Sequence, residues 1–556
     1  MTNCADALRW VIKKIRRRVP AILVLTFVSI FAAVFGVMFA LGTKGVIDAA
    51  ISGESQKFAR ACIIQAAVIA GMVTCSLLGR HLRERIHASL DMDWKIELLH
   101  GILHSDYCAA TKYHSGELIN RLNNDVRILD DGIVNLLPNL CSMITKLIAA
   151  FVVLSSLTPT FALLLLAAGL FVILVTAVLR RKLKAMHKKV SEADGKVSSI
   201  LQETLEKLLI VQALDISNEM ERRVGEQLGS RFELYRKRKN ISLLANSCVT
   251  IMFYVAGFVA LVWCAAGILV GSITYGTLTA VTQLVNQLQS PIVGLSGLLP
   301  QYVAMSAAAE RLQELDQLPK TVDCLNEEPE QLYSGIDRIA ANDLCFTYDR
   351  DKILNNASFA LKKGCFYAIT GPSGTGKSTL LKLMLGVYSP DEGQLYFASE
   401  SDQINIDRST RRLFAYVPQG NLLFSGTIRN NLLVIKPDAT DEEINEAVYV
   451  SAMDQFLSQL PNGLDTLLGE GGAGLSEGQS QRLAIARAVL GGAPILLLDE
   501  CTSALDGETE ALVLQRLREL KSKTCIAVTH RPAAENICDG LIQMDSGKII
   551  LKLPQR

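Results

Sequence analysis

The stretch CFYAITGPSGTGKSTLLKLML, residues 365–385, decides how the second half of the chain folds. Its opening, CFYAIT, is a short apolar run that reads as a buried strand. Its end, LLKLML, has the apolar spacing of a helix. Between them lies Gly371-x-x-x-x-Gly376-Lys377-Ser378, a phosphate-binding loop in the strand-to-helix setting that it requires. The glycines let the backbone wrap, so that successive N–H groups face an anion. Gly371, Ser373, Gly374, Thr375, Gly376 and Thr379 are therefore candidate nucleotide contacts. Lys377 is placed to reach the β- and γ-phosphates, and the Ser378 hydroxyl to bind Mg²⁺.

A second stretch completes that reading. PILLLDE, residues 494–500, is an apolar strand that ends in two carboxylates. In open α/β sheets ligands gather at the carboxyl ends of strands. Asp499 suits Mg²⁺, and Glu500 suits polarisation of an attacking water. The alternative, a surface turn after a core strand, leaves the phosphate loop without its acidic partner. A third stretch, GLSEGQSQRLAIARA at 474–488, reads as a capped helix start. Ser476 is the N-cap, and Gln479 stands three residues on, where a capping box wants Glu or Gln. Such a helix end can hold an anion, although Glu477 places a negative charge in it.

Outward from these motifs the chain changes character. Its 556 residues exceed one domain, 50% are hydrophobic, only 20% are charged, and the net charge is +1. That balance gives no sign of a nucleic-acid partner. The apolar residues crowd the first three hundred positions. After the basic KKIRRRVP comes AILVLTFVSIFAAVFGVMFAL, residues 21–41, long enough to cross a bilayer. It is too long for the apolar core of a signal peptide and has no small-residue cleavage site after it. Further runs at about 59–79, 133–157, 160–179, 245–270 and 276–300 make six expected spans. The connections SSLTPT and GSITYG are short and uncharged, whereas 80–132 and 180–244 are long and begin with basic clusters. The positive-inside rule places these long connectors and the N-terminus in the cytoplasm. Both show helical periodicity, so the membrane helices are expected to continue as long cytoplasmic rods.

Taken together, the motifs resemble the ATP-binding cassette (ABC) family, and the layout is similar to its exporter-type half-transporters. The resemblance covers nearly the whole chain. It implies a multidomain fold: an all-α, six-helix transmembrane domain followed by an α/β P-loop NTPase domain. The expected organisation is a basic interfacial segment at 1–19, a transmembrane domain at 20–305, a linker at 306–335 and a nucleotide-binding domain at 336–556. The resemblance also implies roles. Tyr348 of CFTY resembles the adenine-stacking aromatic. Gln419 of YVPQ resembles the residue linking the Mg²⁺ site to the membrane domain, Asp506 of SALD the residue of the D-loop, and His530 of VTHR the switch histidine at the γ-phosphate. HSGELINRL, around Gly116–Arg121, looks like the first coupling helix, and LQETLEKLLIVQAL falls near the second.

LSEGQ resembles the family's signature motif and departs from it at one place. Glu477 stands where the family usually has its first glycine. The resemblance implies that Ser476, Gly478 and Gln479 cover the nucleotide of a second subunit, so a dimer is expected. A homodimer is preferred, and a partner half-transporter stays open. ATP and Mg²⁺ are the implied cofactors. The implied function is ATP-driven export of an amphipathic peptide, lipid or drug-like molecule across the cell membrane, with the nucleotide-binding domain cytoplasmic. An importer on the same fold and an ATP-gated channel or sensor remain alternatives.

Substrate signals are sparse. Gln283, Asn286, Gln287 and Ser290 recur at helical spacing in the sixth run, as a wetted cavity face or as interhelical hydrogen-bonding groups. Lys146 lies inside the third run and would meet an anionic group or a buried ion-pair partner. Phe27, Phe31, Phe35 and Phe39 form a stripe suited to packing against helices or lipid. The 13 cysteines are scattered without a CxxC pair, which argues against zinc and a disulfide framework. The chain begins almost at the first span, so a leader-cleaving peptidase domain is not expected.

Overall fold

The computed structural model describes residues 4–320, 329–348, 351–399, 402–420, 423–520, 522–529, 531, 535, 537–545 and 547–552. The chain divides into two units, one of Met1–His100 and Ser115–Gln317, the other of Gly101–His114 and Leu318–Arg556.

The first unit is helical. Its elements are α1 (Cys4–Lys14), α2 (Val19–Ile51) and α3 (Ser55–Leu103); α4 (Tyr107–Ala110) belongs to the second unit. Then come α5 (Ser115–Asn120), α6 (Val126–Leu157), α7 (Pro159–Glu206), α8 (Leu208–Ala213), α9 (Ser217–Leu269) and α10 (Tyr275–Asp316). Among the described residues, α2, α3, α6, α9 and α10 each carry a stretch long and apolar enough to cross a membrane. The remaining expected run, 160–179, falls in α7, where the side chains of 164–184 lie outside the described residues. Helices α3, α7 and α9 contain 49, 48 and 53 residues. At the helical rise that is roughly 70–80 Å, well beyond the ~40–45 Å of a whole bilayer. The expected rods are therefore present as continuous helices.

The start of the expected linker and the packing of the N-terminal segment are set by the first unit's core. The segment 306–335, expected as a linker, opens as the last turns of α10. Ala308, Ala309, Leu312 and Leu315 recur at helical spacing and are all buried, so the core of the first unit holds the helix to Asp316. The expected interfacial segment 1–19 packs one face on the first unit and leaves the other, with Ile12, Lys13, Arg16 and Arg17, exposed. Ala7, Val11 and Ile15 are buried with Leu90, Trp94 and Leu98 of α3. Trp10 donates to Asp316 at 2.8 Å and lies 5.2 Å from the Trp94 ring. Two of its basic residues are paired across helices, Lys14 with Glu97 and Asp316, and Arg18 with Asp93.

The second unit continues with α11 (Pro329–Ser334), β1 (Arg338–Tyr348), β2 (Asp351–Lys362), β3 (Phe366–Thr370), α12 (Lys377–Met384), β4 (Glu392–Ala398), β5 (Gln403–Asn405) and β6 (Phe414–Val417). Next are β7 (Gly426–Thr427), α13 (Ile428–Leu433), α14 (Asp441–Val450), α15 (Asp454–Leu457), β8 (Leu467–Leu468) and α16 (Glu477–Leu490). The unit ends with β9 (Ile495–Asp499), α17 (Gly507–Glu519), β10 (Thr524–Val528), β11 (Gly540–Asp545) and β12 (Lys548–Lys552). The main sheet runs β12-β11-β3-β10-β9-β6 and is parallel from β11 to β6. Strand β9 is buried along its whole length, as an uninterrupted apolar run between helical layers requires. An antiparallel sheet, β2-β1-β4-β5, lies beside it in the unit. Helices α13 to α16 form a separate helical core around Leu423, Ile428, Phe456 and Leu483.

Helix α4 docks on this unit. Asp106 caps it through Ala109 N at 3.1 Å, the Tyr107 ring stands 6.1 Å from Tyr388, and Arg408 donates to Ser105 O at 3.1 Å. The expected first coupling helix at Gly116–Arg121 is therefore displaced. Arg121 belongs to the first unit, bonded to Glu117, Glu314 and Arg311 O. The connector residue that presents an aromatic ring to the nucleotide fold is Tyr107.

Candidate functional site

The carboxyl ends of four neighbouring strands meet at one edge of the main sheet. Strand β3 leads into the loop at Gly371, β6 leads to Gln419, β9 delivers Asp499 and Glu500, and β10 leads to position 530. His530 itself lies outside the described residues. Sequence positions that are far apart thus converge because the parallel sheet aligns its strand ends.

The loop from Gly371 to Gly376 wraps tightly. Gly371 has φ +149°, and a Cβ there would meet Met544 O at 2.2 Å, so no other residue fits. Gly376 caps α12 with φ +95°. Lys377 is 6% exposed and its ammonium donates to Gly371 O and Pro372 O, both at 2.9 Å. Burial pulls that ammonium below its usual pKa, against the pull of Glu500 and Asp499. Ser373 and Gly374 lie on the exposed rim of the loop, Thr375 bonds Pro372 O at 2.9 Å, and Thr379 is buried in the first turn of α12.

Asp499 is buried, and both of its oxygens are engaged. Ser378 Oγ donates to one at 3.0 Å and Tyr416 Oη to the other at 3.2 Å. Burial raises the Asp499 carboxyl above its ordinary value, while these two bonds act the other way. Burial, then the neighbouring carboxylate, raises the Tyr416 hydroxyl. Glu500 turns out of the strand with φ +50°, a costly backbone for a residue with a Cβ. Its carboxylate accepts from Gln419 Nε2 at 2.8 Å. The set of hydroxyl, carboxylate and amide oxygens on Ser378, Asp499 and Gln419 fits Mg²⁺, a hard cation that takes few protein ligands and keeps waters. Among the described residues no cluster of three His, Cys, Asp or Glu could cage a metal by itself. Tyr348 stands at the end of β1, edge-on to Phe346 at 4.9 Å and to Tyr388 at 5.3 Å.

The signature stretch folds as its capping pattern demands. Gln479 N donates to Ser476 Oγ at 3.2 Å and Ser476 N to Gln479 Oε1 at 2.9 Å. Glu477 is the first residue of α16, lies outside the left-handed region, and is exposed. It shares a helix face with Ser480, Gln481 and Ala484, and this face lines a cavity of about 550 Å³ with Val417, Pro418 and Leu423. Gly478 packs closely: a Cβ there would meet Ala504 O at 2.9 Å. Asp506 caps α17 through Thr509 N at 2.9 Å, a bond that draws its carboxyl below the usual range.

Three residues escaped the sequence reading. Tyr416 stands three positions before Gln419, on a short strand whose burial does not alternate, so no local signal marks it. Gln481 ties α16 to Ser503 and to Ala504 N, and Arg531 holds Leu505 O, Ser503 O and Glu510. In the first unit Gln287 donates to Gly36 O at 3.1 Å, a bond between α10 and α2. Gln283 is half-buried and Asn286 exposed. Lys146 is half-buried and has no hydrogen-bond or ion-pair partner among the described residues.

Comparison with known proteins bears on both units. Residues 22–292 match the family model for the ABC transporter transmembrane region, and residues 354–503 match that for the ABC transporter. An ATP-dependent lipid A-core flippase of Desulfotalea psychrophila is 30% identical over 476 residues, covering 84% of this chain and 82% of the flippase. The chain belongs to the ABC transporter family. It is an ATP-hydrolysing half-transporter of the exporter type, with one membrane region and one nucleotide-binding region. A multidrug efflux ATP-binding/permease protein of Mycobacterium bovis is 28% identical over 99% of this transporter and 46% of its own length. A bacterial Atm1-family ABC exporter solved with ATP bound shares the fold, with a TM-score of 0.78 at 24% identity, covering 96% of this transporter and 94% of that chain.

Proposed function

We propose that two copies of this half-transporter assemble in the cell membrane, with the nucleotide-binding units in the cytoplasm. The dimer exports an amphipathic peptide, lipid or drug-like molecule at the expense of Mg²⁺-ATP. The observation that carries the reading is the Gln419–Glu500 bond of 2.8 Å beside the Ser378–Asp499 bond of 3.0 Å, at the sheet edge where Lys377 closes the phosphate loop.

In this reading the loop N–H groups from Gly371 to Thr379 hold the nucleotide phosphates, with Lys377 exchanging its two carbonyls for phosphate oxygens. Tyr348 stacks on adenine. Mg²⁺ would be held by Ser378, Asp499 and Gln419, and would supply neutralisation of phosphate charge. Glu500 takes a proton from the attacking water, with Gln419 and His530 orienting the reacting groups. Ser476, Gly478 and Gln479 of one copy cover the γ-phosphate held by the other, beside Asp506. The long helices carry closure of the two nucleotide sites to the membrane region. In that region Lys146, Gln283, Asn286 and Gln287 are the candidate substrate contacts.

The test is ATP hydrolysis by the chain purified alone and reconstituted in lipid. Robust turnover, abolished by Glu500→Gln, is the expected result. Absence of turnover, restored only by adding another half-transporter, would replace the homodimer by a heterodimer.

A further inference from the structure

Asp499 is oriented from two sides by neutral hydroxyls. Ser378 Oγ, on the phosphate loop, donates to Oδ1 at 3.0 Å, and Tyr416 Oη donates to Oδ2 at 3.2 Å. The two bonds differ in what they do. Ser378 belongs to the candidate metal set, so its bond to Asp499 changes when that set is filled. Tyr416 is not part of the set. It is fixed on β6, whose backbone pairs Tyr416 with Leu497, two residues before Asp499 on β9. Its ring is half-buried against the main core, so it can hold one carboxylate oxygen while leaving the other toward Ser378. Hydrogen bonds of this kind, behind a ligating group, set its rotamer and thereby metal affinity.

We propose that Tyr416 is a positioning residue for Asp499: its hydroxyl holds one carboxylate oxygen so that the other is presented toward Ser378 for Mg²⁺. A phenylalanine in its place keeps the ring in the core and removes only the hydroxyl. Asp499 then rotates more freely, and one buried acceptor oxygen is left without its donor. The cost falls on metal binding and not on the chemistry that follows. The inference rests on the assignment of Asp499 as the metal-holding carboxylate.

The experiment uses the full chain in lipid nanodiscs with Glu500→Gln in all samples, so that no turnover occurs. Mn²⁺ binding is followed by electron paramagnetic resonance in the presence of saturating ATP. Tyr416→Phe should weaken Mn²⁺ by roughly 10- to 100-fold. In the active background it should raise the Mg²⁺ concentration for half-maximal hydrolysis by a similar factor, while kcat at saturating Mg²⁺ stays within about twofold. Tyr449→Phe, which removes an exposed hydroxyl from α14, should change neither quantity. Unchanged Mn²⁺ affinity in Tyr416→Phe, or a fall in kcat without a shift in Mg²⁺ dependence, overturns the inference. Asp499→Asn in the same titration separates the two levels. If it retains Mn²⁺ binding, the metal assignment itself fails; if it loses binding while Tyr416→Phe does not, only the positioning role fails.

Discussion

Gln419 and Glu500, 81 residues apart in sequence, are joined by a 2.8 Å hydrogen bond at the ends of two adjacent parallel strands. The amide holds the carboxylate that leaves the sheet in a left-handed backbone conformation. Orientation of Glu500 thus depends on a residue outside its own strand.

Glu500→Gln should lower ATP hydrolysis about 10²- to 10⁴-fold, the range for loss of a general base. Gln419→Ala removes one bond to a charged group, worth ~1.5–3 kcal/mol, and should slow turnover by about 10-fold or more. If the two act through one carboxylate, the double variant is no slower than Glu500→Gln alone. Additive losses, measured as steady-state phosphate release, would show that Gln419 acts mainly through the Mg²⁺ site and not through its hold on Glu500.

The convergence of these residues was legible in the sequence because each motif carries its own local context. Gly371–Ser378 needs a strand before and a helix after, and PILLLDE ends where an apolar strand must end. The capping box of Ser476 and Gln479 was legible for the same reason. Tyr416 was not, because nothing local separates a strand tyrosine that packs from one whose hydroxyl reaches Asp499. Nor was the docking of Tyr107, which depends on which turn of a long, uniformly helical connector meets the nucleotide fold. The boundary near 305 was misplaced because α10 changes its surroundings without changing its period.

Glu477 poses a question of charge alone. Its backbone is unstrained and its side chain is exposed on the cavity face of α16. Glu477→Gly removes a negative charge from a helix N-terminus, an effect of ~0.3–1 kcal/mol at low ionic strength. The KM for ATP should therefore fall by up to about fivefold at low salt. The difference should vanish at high salt, where exposed charges are screened. A difference that survives 1 M salt points to packing and not to charge.

Within the first unit, Arg311 forks onto Asp125 with bonds of 2.8 and 2.7 Å. The Asp125 side chain is 3% exposed, that of Arg311 43%. Arg311→Met strands the carboxylate in the core, at a cost of ~3–5 kcal/mol for a fully buried pair and about 1–3 kcal/mol once the exposure of Arg311 is allowed for. The thermal midpoint of the membrane region should drop. Pairing the change with Asp125→Leu should restore most of it. Equal instability of single and double variants would show that packing, and not the stranded charge, is responsible.

Lys146 and Gln287 offer opposite expectations within the same membrane region. Gln287 bonds α10 to Gly36 O on α2, so Gln287→Leu should destabilise the transporter by about 0.6 kcal/mol, the average for such bonds between membrane helices, and by no more than ~1.7 kcal/mol. Lys146 has no partner among the described residues, so an ammonium there is costly in place. Lys146→Met should leave thermal stability unchanged or raise it. The same substitution should reduce stimulation of ATP hydrolysis by anionic amphiphiles and spare stimulation by neutral ones, because the lost group is a cation. Thermal unfolding and substrate-stimulated ATPase, read on both variants, separate the two roles. A Lys146→Met transporter that melts early but keeps its response to anionic amphiphiles would move Lys146 from substrate contact to structural anchor.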